Sequence, residues 1–145
     1  MGTRFMATKE APIHNSIKQE LVKGTERDTA LIMRTFRNTS RIYKVTTPSL
    51  GANMCQNSVA QQVIEIEKQN SATPDFKKIQ PLVAGVRGRK VFTEGDKDAG
   101  VWTAGQVVGL IDDIPSCEDL LATMVKEAEE IIGEMASKVT VESKL

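Results

Sequence analysis

The sequence predicts an α/β protein in which two short strands accompany four or five helices. The run Ala30-Leu31-Ile32-Met33 is apolar at successive positions, which is typical of a strand covered on both faces inside a parallel sheet. Residues 1–5 indicate the end of a second strand that enters a loop. Because two strands make a poor sheet by themselves, we expect their neighbours to lie outside this sequence.

The composition is that of a globular domain without a net electrostatic field. Of the 145 residues, 40% are hydrophobic, and 19 lysines and arginines balance 19 aspartates and glutamates. A balanced charge gives no long-range attraction to nucleic acid or to an anionic membrane. The basic clusters at 34–44 and 87–90 lack interleaved aromatic residues, since the chain has one Trp and one Tyr. We therefore expect neither nucleic acid nor a membrane as a partner.

The cysteines and the apolar runs favour a cytoplasmic location. Cys55 and Cys117 lie far apart and match no metal-ligand spacing, which is typical of free thiols in a reducing compartment. No apolar run approaches the roughly 18 residues that cross a bilayer. The first residues also lack the apolar core of a secretory signal. No metal is expected.

Capping residues and apolar spacing predict helices in the first half of the chain. Asn15 or Ser16 is expected to cap a short helix that ends at Gly24. Residues 58–69 carry apolar side chains at helical spacing. Thr73, which precedes a proline, is expected to cap a further helix.

Glycine content and small residues guide the prediction for the segments between these helices. A weak helical segment is expected to end at Lys44, followed by a loop at 45–57. Residues 85–100 are rich in glycine and charge, which predicts a connector. Residues 101–112 are predicted to be helical.

The last helix is the clearest prediction. It begins at Ser116, which forms an approximate capping box with Asp119 three residues later. One face stays apolar for about five turns of 3.6 residues. This stripe is expected to pack against residues 101–111 or against the strand at 28–33. Its members are Leu120, Leu121, Met124, Val125, Ala128, Ile131, Ile132 and Met135.

Four blocks of the sequence resemble one enzyme family. MGTRFMATKEAPIH at 1–14 and EGDKDAGVWTAGQVVGLIDDIPSCEDLL at 94–121 look like the C-terminal part of the nitronate monooxygenases, formerly called 2-nitropropane dioxygenases. DTALIMRTFRNTSRIYK and PLVAGVRGRKVF, which lie between them, fit that family in order and spacing. The resemblance covers nearly the whole chain. The flavin-dependent enoyl-acyl carrier protein reductases carry similar versions of the first block and of the AGQ block.

The resemblance implies a fold. Nitronate monooxygenases form a TIM (β/α)8 barrel that binds FMN at the C-terminal ends of its strands, with a mostly helical segment inserted late. By this resemblance, residues 1–44 hold the ends of barrel strands seven and eight with a connecting helix. Residues 45–95 form the helical insertion, and residues 96–145 form the C-terminal barrel helices. The N-terminal half of the barrel, which activity requires, would lie outside this chain.

The same resemblance implies an FMN site on two blocks. Gly2 and Thr3 resemble the turn that holds the FMN phosphate, since glycine lets the backbone approach closely and threonine adds a hydroxyl. The WTAGQ block is similar to the family's W-S-A-G-Q, which implies Thr103, Gly105 and Gln106 as contacts of flavin or substrate. Tight helix packing explains the small residues of this second block equally well.

Glu10 and His14 could form a metal pair or an acid–base dyad if their segment were helical. Pro12 between them favours a loop, and two ligands do not make a metal site. We therefore interpret both side chains as structural. By the resemblance, the catalytic base sits on an earlier strand, so no catalytic residue is expected within this chain.

The implied activity is that of an FMN-dependent nitronate monooxygenase, an oxidoreductase. Such an enzyme oxidises alkyl nitronates with molecular oxygen to a carbonyl compound and nitrite. The chain alone is expected to be inactive. Two alternatives stay open: part of a flavin-dependent enoyl-acyl carrier protein reductase that uses a nicotinamide, or a non-catalytic helical binding module.

Overall fold

The computed structural model describes residues 1–34, 41–43, 57–69 and 75–142. The chain divides into two compact units, Met1–Ile114 and Pro115–Leu145. Elements of the first unit are α1 (Gly2–Met6), α2 (Asn15–Lys23), β1 (Thr29–Leu31), β2 (Arg41–Tyr43), α3 (Ser58–Gln69), α4 (Phe76–Ile79) and α5 (Gly85–Glu94), with 3-10 turns at Glu26–Asp28 and Gln106–Leu110. The second unit contains α6 (Cys117–Glu142).

The two strands pair antiparallel, with Ala30 opposite Ile42. The strand predicted around Ala30 is therefore confirmed. Its described neighbour runs antiparallel and Leu31 is exposed, whereas the parallel neighbours expected outside this sequence stay a prediction. The weak helix predicted before Lys44 is also wrong, since β2 occupies that segment. The Arg41 guanidinium fixes the pairing by donating to Thr29 Oγ1 at 3.0 Å and to its carbonyl at 3.2 Å.

The other edge of β2 carries an extended segment at residues 102–104. The Tyr43 N–H donates to the Trp102 carbonyl at 2.9 Å, and the Ala104 N–H donates to the Arg41 carbonyl at 3.2 Å. Residues 101–112 were predicted to be helical. They instead begin as extended chain and become helical only in the 3-10 turn at Gln106–Leu110.

The start of the chain is a short helix rather than the predicted end of a strand. The N–H groups of Arg4 and Phe5 both donate to the Met1 carbonyl, at 3.0 and 3.3 Å, which closes the first turn of α1. Arg4 then ties α1 to a distant segment, because its guanidinium donates to the Asp113 carbonyl at 3.0 Å and pairs with the Asp113 carboxylate. This anchor lies 109 residues away, so the local sequence did not indicate it.

Three predicted helices are confirmed, of which α2 and α4 begin at caps other than the predicted ones. Helix α2 ends at Gly24 as expected, but His14 rather than Asn15 or Ser16 caps it. Helix α3 spans the predicted range of 58–69. Asp75 caps α4 by accepting from the Lys77 N–H at 3.1 Å, whereas the cap predicted at Thr73 lies outside the described residues.

The connector predicted at residues 85–100 is largely helix α5. Two of the glycines in this segment, Gly88 and Gly100, allow close packing. A Cβ on Gly88 would lie 3.2 Å from the Val101 carbonyl oxygen, and one on Gly100 would lie 2.7 Å from Arg87 Cβ. Glycine at both positions lets the α5 backbone approach the segment that leads to Trp102.

The larger hydrophobic core of the first unit forms around Trp102. This indole stacks on Tyr43 with ring centroids 4.4 Å apart, and Phe92 meets it edge-on at 6.5 Å. The buried members of this core are Ala7, Ile17, Leu21, Tyr43, Val91, Trp102, Ala104, Val108 and Ile111. A second core lies under β1 and β2 and consists of Ile32, Ile42, Ala60, Val63 and Ile79.

The second unit confirms the predicted long helix but not its packing. Ser116 Oγ accepts from the Asp119 N–H at 3.0 Å and donates to the Asp119 carboxylate at 2.6 Å. Leu120 is buried, whereas Leu121 is 50% exposed and Ile132 is 67% exposed. The predicted packing of this stripe against residues 101–111 or 28–33, which belong to the first unit, stays a prediction.

Neither a membrane-spanning helix nor a metal-binding cluster occurs among the described residues. None of the helices there is both long and apolar enough to span a bilayer. The same residues hold no group of three or more His, Cys, Asp or Glu side chains that could bind a metal ion. Cys117 forms no disulfide with a described residue, and Cys55 lies outside the described part of the chain.

Gly95 generates a prediction about stability, because it ends α5 at a φ of 75°. An added Cβ there would clash with the His14 ring, whereas one on Gly85 would meet nothing within 4 Å. We expect Gly95→Ala to lower the free energy of unfolding by about 1–3 kcal/mol through left-handed strain and the clash. The control Gly85→Ala should change it by less than about 1 kcal/mol. Urea denaturation measures both, and equal effects would contradict this account of Gly95.

Candidate functional site

A side-chain hydrogen bond joins the first and last sequence blocks. Thr3 Oγ1 accepts from the Gly105 N–H at 2.9 Å, although the two residues are 102 positions apart. Thr3 belongs to α1, and Gly105 directly precedes the 3-10 turn at Gln106–Leu110. The structure therefore brings together the two segments in which the sequence placed candidate site residues.

The N-terminus of α1 offers hydrogen-bond donors beside open space. The first N–H groups of a helix have no acceptor within that helix, which applies to Gly2 and Thr3. Because the Thr3 oxygen accepts from Gly105, its own proton can rotate toward a further acceptor. Gly2 is exposed, and a Cβ on it would meet nothing within 4 Å. These groups fit an anion such as a phosphate, even though the predicted strand end is a helix.

The extended segment at 102–104 alternates between buried and exposed side chains, as a strand requires. Trp102 and Ala104 are buried in the core, and Thr103 between them is exposed. Gln106, which begins the 3-10 turn, is exposed as well, and Gly105 is half-buried. Thr103, Gly105 and Gln106, which the sequence predicted as site residues, thus lie within four consecutive positions of one segment.

Aromatic packing under this segment holds it in place. Trp102 lies between Tyr43 and Phe92, and the Tyr43 hydroxyl donates to the Glu20 carbonyl at 3.2 Å. The indole Nε1 of Trp102 is buried and makes no hydrogen bond to any residue that the structure describes. Sequence reasoning missed this support. The signal available for it was that the chain's single Trp and single Tyr both occur in blocks shared with the family.

Arg4 lies close to the site in sequence but is already paired. Its side chain is 16% exposed and contacts both the carbonyl and the carboxylate of Asp113. A guanidinium neutralised in this way fixes α1 against the chain near residue 113 and is a weak candidate for binding a second anion. We therefore treat Arg4 as a positioning residue.

The structural interpretation of His14 is confirmed by its contacts. His14 Nδ1 accepts from the Ser16 N–H at 3.2 Å and so caps α2. The Ser16 hydroxyl in turn donates to the Gly95 carbonyl at 2.9 Å. Glu10 lies in an exposed turn. This environment uses the His14 ring to join α2 to the end of α5.

The chain belongs to the nitronate monooxygenase family, whose family model matches residues 1–127. This finding confirms the resemblance seen in the sequence blocks. The match includes every candidate site residue, from Gly2 to Gln106.

Curated relatives of this chain carry the names of oxidoreductases. The chain is 26% identical over 156 residues to (3aS,4S,5R,7aS)-5-hydroxy-7a-methyl-1-oxo-octahydro-1H-indene-4-carboxyl-CoA dehydrogenase from Rhodococcus jostii, covering 88% of this chain and 42% of that protein. A dehydrogenase of the same name from Mycobacterium tuberculosis is 46% identical over 37 residues, which is 26% of this chain and 10% of the relative.

A solved structure resembles most of the described fold. FabK from Thermotoga maritima matches 94% of this chain with a TM-score of 0.74 and 27% identity, and the match covers 38% of FabK. The chain therefore spans about two fifths of the relatives that it matches over most of its length, as the 42% and 38% coverages show.

The bond between Thr3 and Gly105 generates a prediction. Thr3→Val keeps the shape of the side chain but leaves the half-buried Gly105 N–H without its acceptor. We expect a loss of about 1–2 kcal/mol in the free energy of unfolding. Thr3→Ser keeps the hydroxyl and should lose less than half as much. Urea denaturation distinguishes the two, and equal losses would show that the methyl group matters rather than the hydrogen bond.

Tyr43 generates a prediction about pH. Burial raises the pKa of the Tyr43 phenol well above its ordinary value, and the negative charges of Glu20 and Asp28 raise it further. The folded state therefore favours the protonated phenol. Its contribution to stability is complete below about pH 10 and is lost as the pH rises above that value.

Because Tyr43 is the only tyrosine, the ultraviolet absorbance of phenolate reports on it alone. We expect the folded chain to show little phenolate near pH 11, whereas the chain in urea titrates near pH 10. Tyr43→Phe should show no such absorbance and a smaller alkaline loss of stability. Titration of the folded chain near pH 10 would contradict the buried environment of this phenol.

Proposed function

We propose that this chain forms part of the FMN site of a nitronate monooxygenase. The enzyme would oxidise alkyl nitronates with molecular oxygen to a carbonyl compound and nitrite, and FMN would supply the redox chemistry. The observation that carries the proposal is the 2.9 Å hydrogen bond from the Gly105 N–H to Thr3, which joins the two blocks that resemble the family's flavin-binding segments. Membership of the family supports the reaction class.

The site residues would have separate roles. The N–H groups of Gly2 and Thr3 and the Thr3 hydroxyl would bind the FMN phosphate, since backbone donors and a rotatable hydroxyl suit an anion. Thr103, Gly105 and Gln106 would line the flavin ring or the substrate. Their exposure on the outer side of the segment leaves them available for such contacts.

Activity would require a part of the barrel outside this chain. The relatives matched over most of this chain are more than twice as long, since the matches cover 42% and 38% of them. By family resemblance, the missing part would supply the catalytic base, a group that typically contributes about 10²–10⁴-fold to the rate. The cytoplasmic location stays a prediction from the sequence.

A second candidate function is reduction of the carbon–carbon double bond of an enoyl thioester by a nicotinamide, as in a flavin-dependent enoyl-acyl carrier protein reductase. The observation that favours it is that two curated relatives are named as dehydrogenases of a carboxyl-CoA compound, which is a thioester. Both candidates place a flavin at the same residues. They differ in the reaction that the complete enzyme would carry out.

The proposal predicts the outcome of a complementation experiment. The 145-residue chain is purified alone and after co-expression with the N-terminal barrel half of a full-length family member. We expect bound FMN and nitrite release from an alkyl nitronate only in the second preparation. Oxidation of a nicotinamide with an enoyl thioester, without nitrite release, would favour the second candidate instead.

A pair of matched variants tests whether the Thr3 hydroxyl binds FMN. Thr3→Val should weaken FMN binding by roughly 10- to 150-fold, because one hydrogen bond to a charged group is worth about 1.5–3 kcal/mol. Thr93→Val removes a hydroxyl from the exposed side of α5 and serves as the control. Flavin content measured by absorbance should fall in the first variant alone, and stoichiometric FMN with turnover in the lone chain would overturn the proposal.

A further inference from the structure

The first turn of α1 is held in place by polar contacts. None of the five residues of α1 is buried, and Met1, which caps the helix, makes no capping hydrogen bond with its side chain. At the other end, Met6 packs partly against the core and Ala7 behind it is buried. Because a helix this short is marginal in water by itself, the position of its first turn depends on the contacts of Thr3 and Arg4.

These two consecutive residues attach α1 to both ends of the segment at 105–113. Thr3 accepts from the Gly105 N–H, whereas Arg4 donates from Nη1 to the Asp113 carbonyl at 3.0 Å and pairs through Nη2 with the Asp113 carboxylate. We call the contact between Arg4 and Asp113 the α1 anchor. The Arg4 side chain is only 16% exposed, so the anchor is partly shielded from water. Hydrogen bonds between a guanidinium and a carboxylate are stronger than neutral ones.

The segment at 105–113 is itself fixed to the first unit. Val108 and Ile111 are buried in the core, and the Val108 N–H donates to the Gly105 carbonyl at 3.1 Å. A Cβ on Gly109 would lie 2.8 Å from the backbone nitrogen of Glu26, so the segment also packs directly on another part of the backbone. A segment held in this way can hold α1 in one orientation.

We propose that Asp113 is a positioning residue of the FMN site. Through Arg4, it holds the first turn of α1 so that the N–H groups of Gly2 and Thr3 stay where they bind the phosphate. This inference rests on the proposed function. An acidic side chain has no direct use in binding an anion, since like charges repel, so Asp113 acts through Arg4.

The proposal predicts the opposite of a simple charge effect. Asp113→Ala removes a negative charge, which by itself would strengthen the binding of an anion. The same change releases the Arg4 guanidinium, which could then pair with the phosphate. Weaker binding of FMN in this variant would therefore be specific to a loss of orientation.

Titration of FMN into the complex of this chain with the co-expressed barrel half tests the proposal. We expect Asp113→Ala to weaken FMN binding by about fivefold or more, because misplaced donors lose part of a hydrogen bond to a charged group. Asp113→Glu keeps the carboxylate and should bind FMN within about twofold of the wild type. Asp112→Ala is the matched control, since Asp112 is the exposed carboxylate next to Asp113. It should bind FMN at least as tightly as the wild type.

A double-mutant cycle tests the α1 anchor without flavin. If Asp113 orients the turn that carries Thr3, the free energy of unfolding lost on Thr3→Val should fall by about half or more when residue 113 is already alanine. The loss on Thr3→Val should be unchanged in the Asp112→Ala background. Urea denaturation of the 145-residue chain measures all of these variants.

Any of three results would overturn the proposal. Additive losses in the cycle would show that Asp113 does not orient the turn that carries Thr3. Unchanged or tighter FMN binding in Asp113→Ala would show that the α1 anchor does not serve the flavin site, while the proposed function would stand. A wild-type complex that binds no FMN would overturn the proposed function and this inference together.

Discussion

Burial of Trp102 is the constraint on which the first unit depends. The indole is 1% exposed, stacks on Tyr43 of β2, and receives the edge of Phe92 from α5. One side chain thus fixes a strand, a helix and the extended segment that contains it. A large aromatic side chain contributes more buried apolar area than the aliphatic residues around it, so the surrounding elements gain most by packing against its faces.

The candidate site follows from that packing. Once Trp102 and Ala104 point into the core, strand geometry turns Thr103 outward and leaves the Gly105 N–H at the edge, where Thr3 accepts its hydrogen bond. The same bond orients the first turn of α1, whose first N–H groups then lie beside the segment. Core formation and placement of the N–H groups that we propose as phosphate donors are consequences of one arrangement.

Local signals predicted the elements that local interactions stabilise. Helices α2, α3 and α6 and strand β1 followed from apolar spacing and from residues that end or begin helices. The sequence failed where distant partners decide the structure. Helix α1 depends on Arg4 reaching Asp113, and β2 is bordered by residues 102–104. In the site, family blocks identified Thr3 and Gly105, but only the fold revealed that they bind each other.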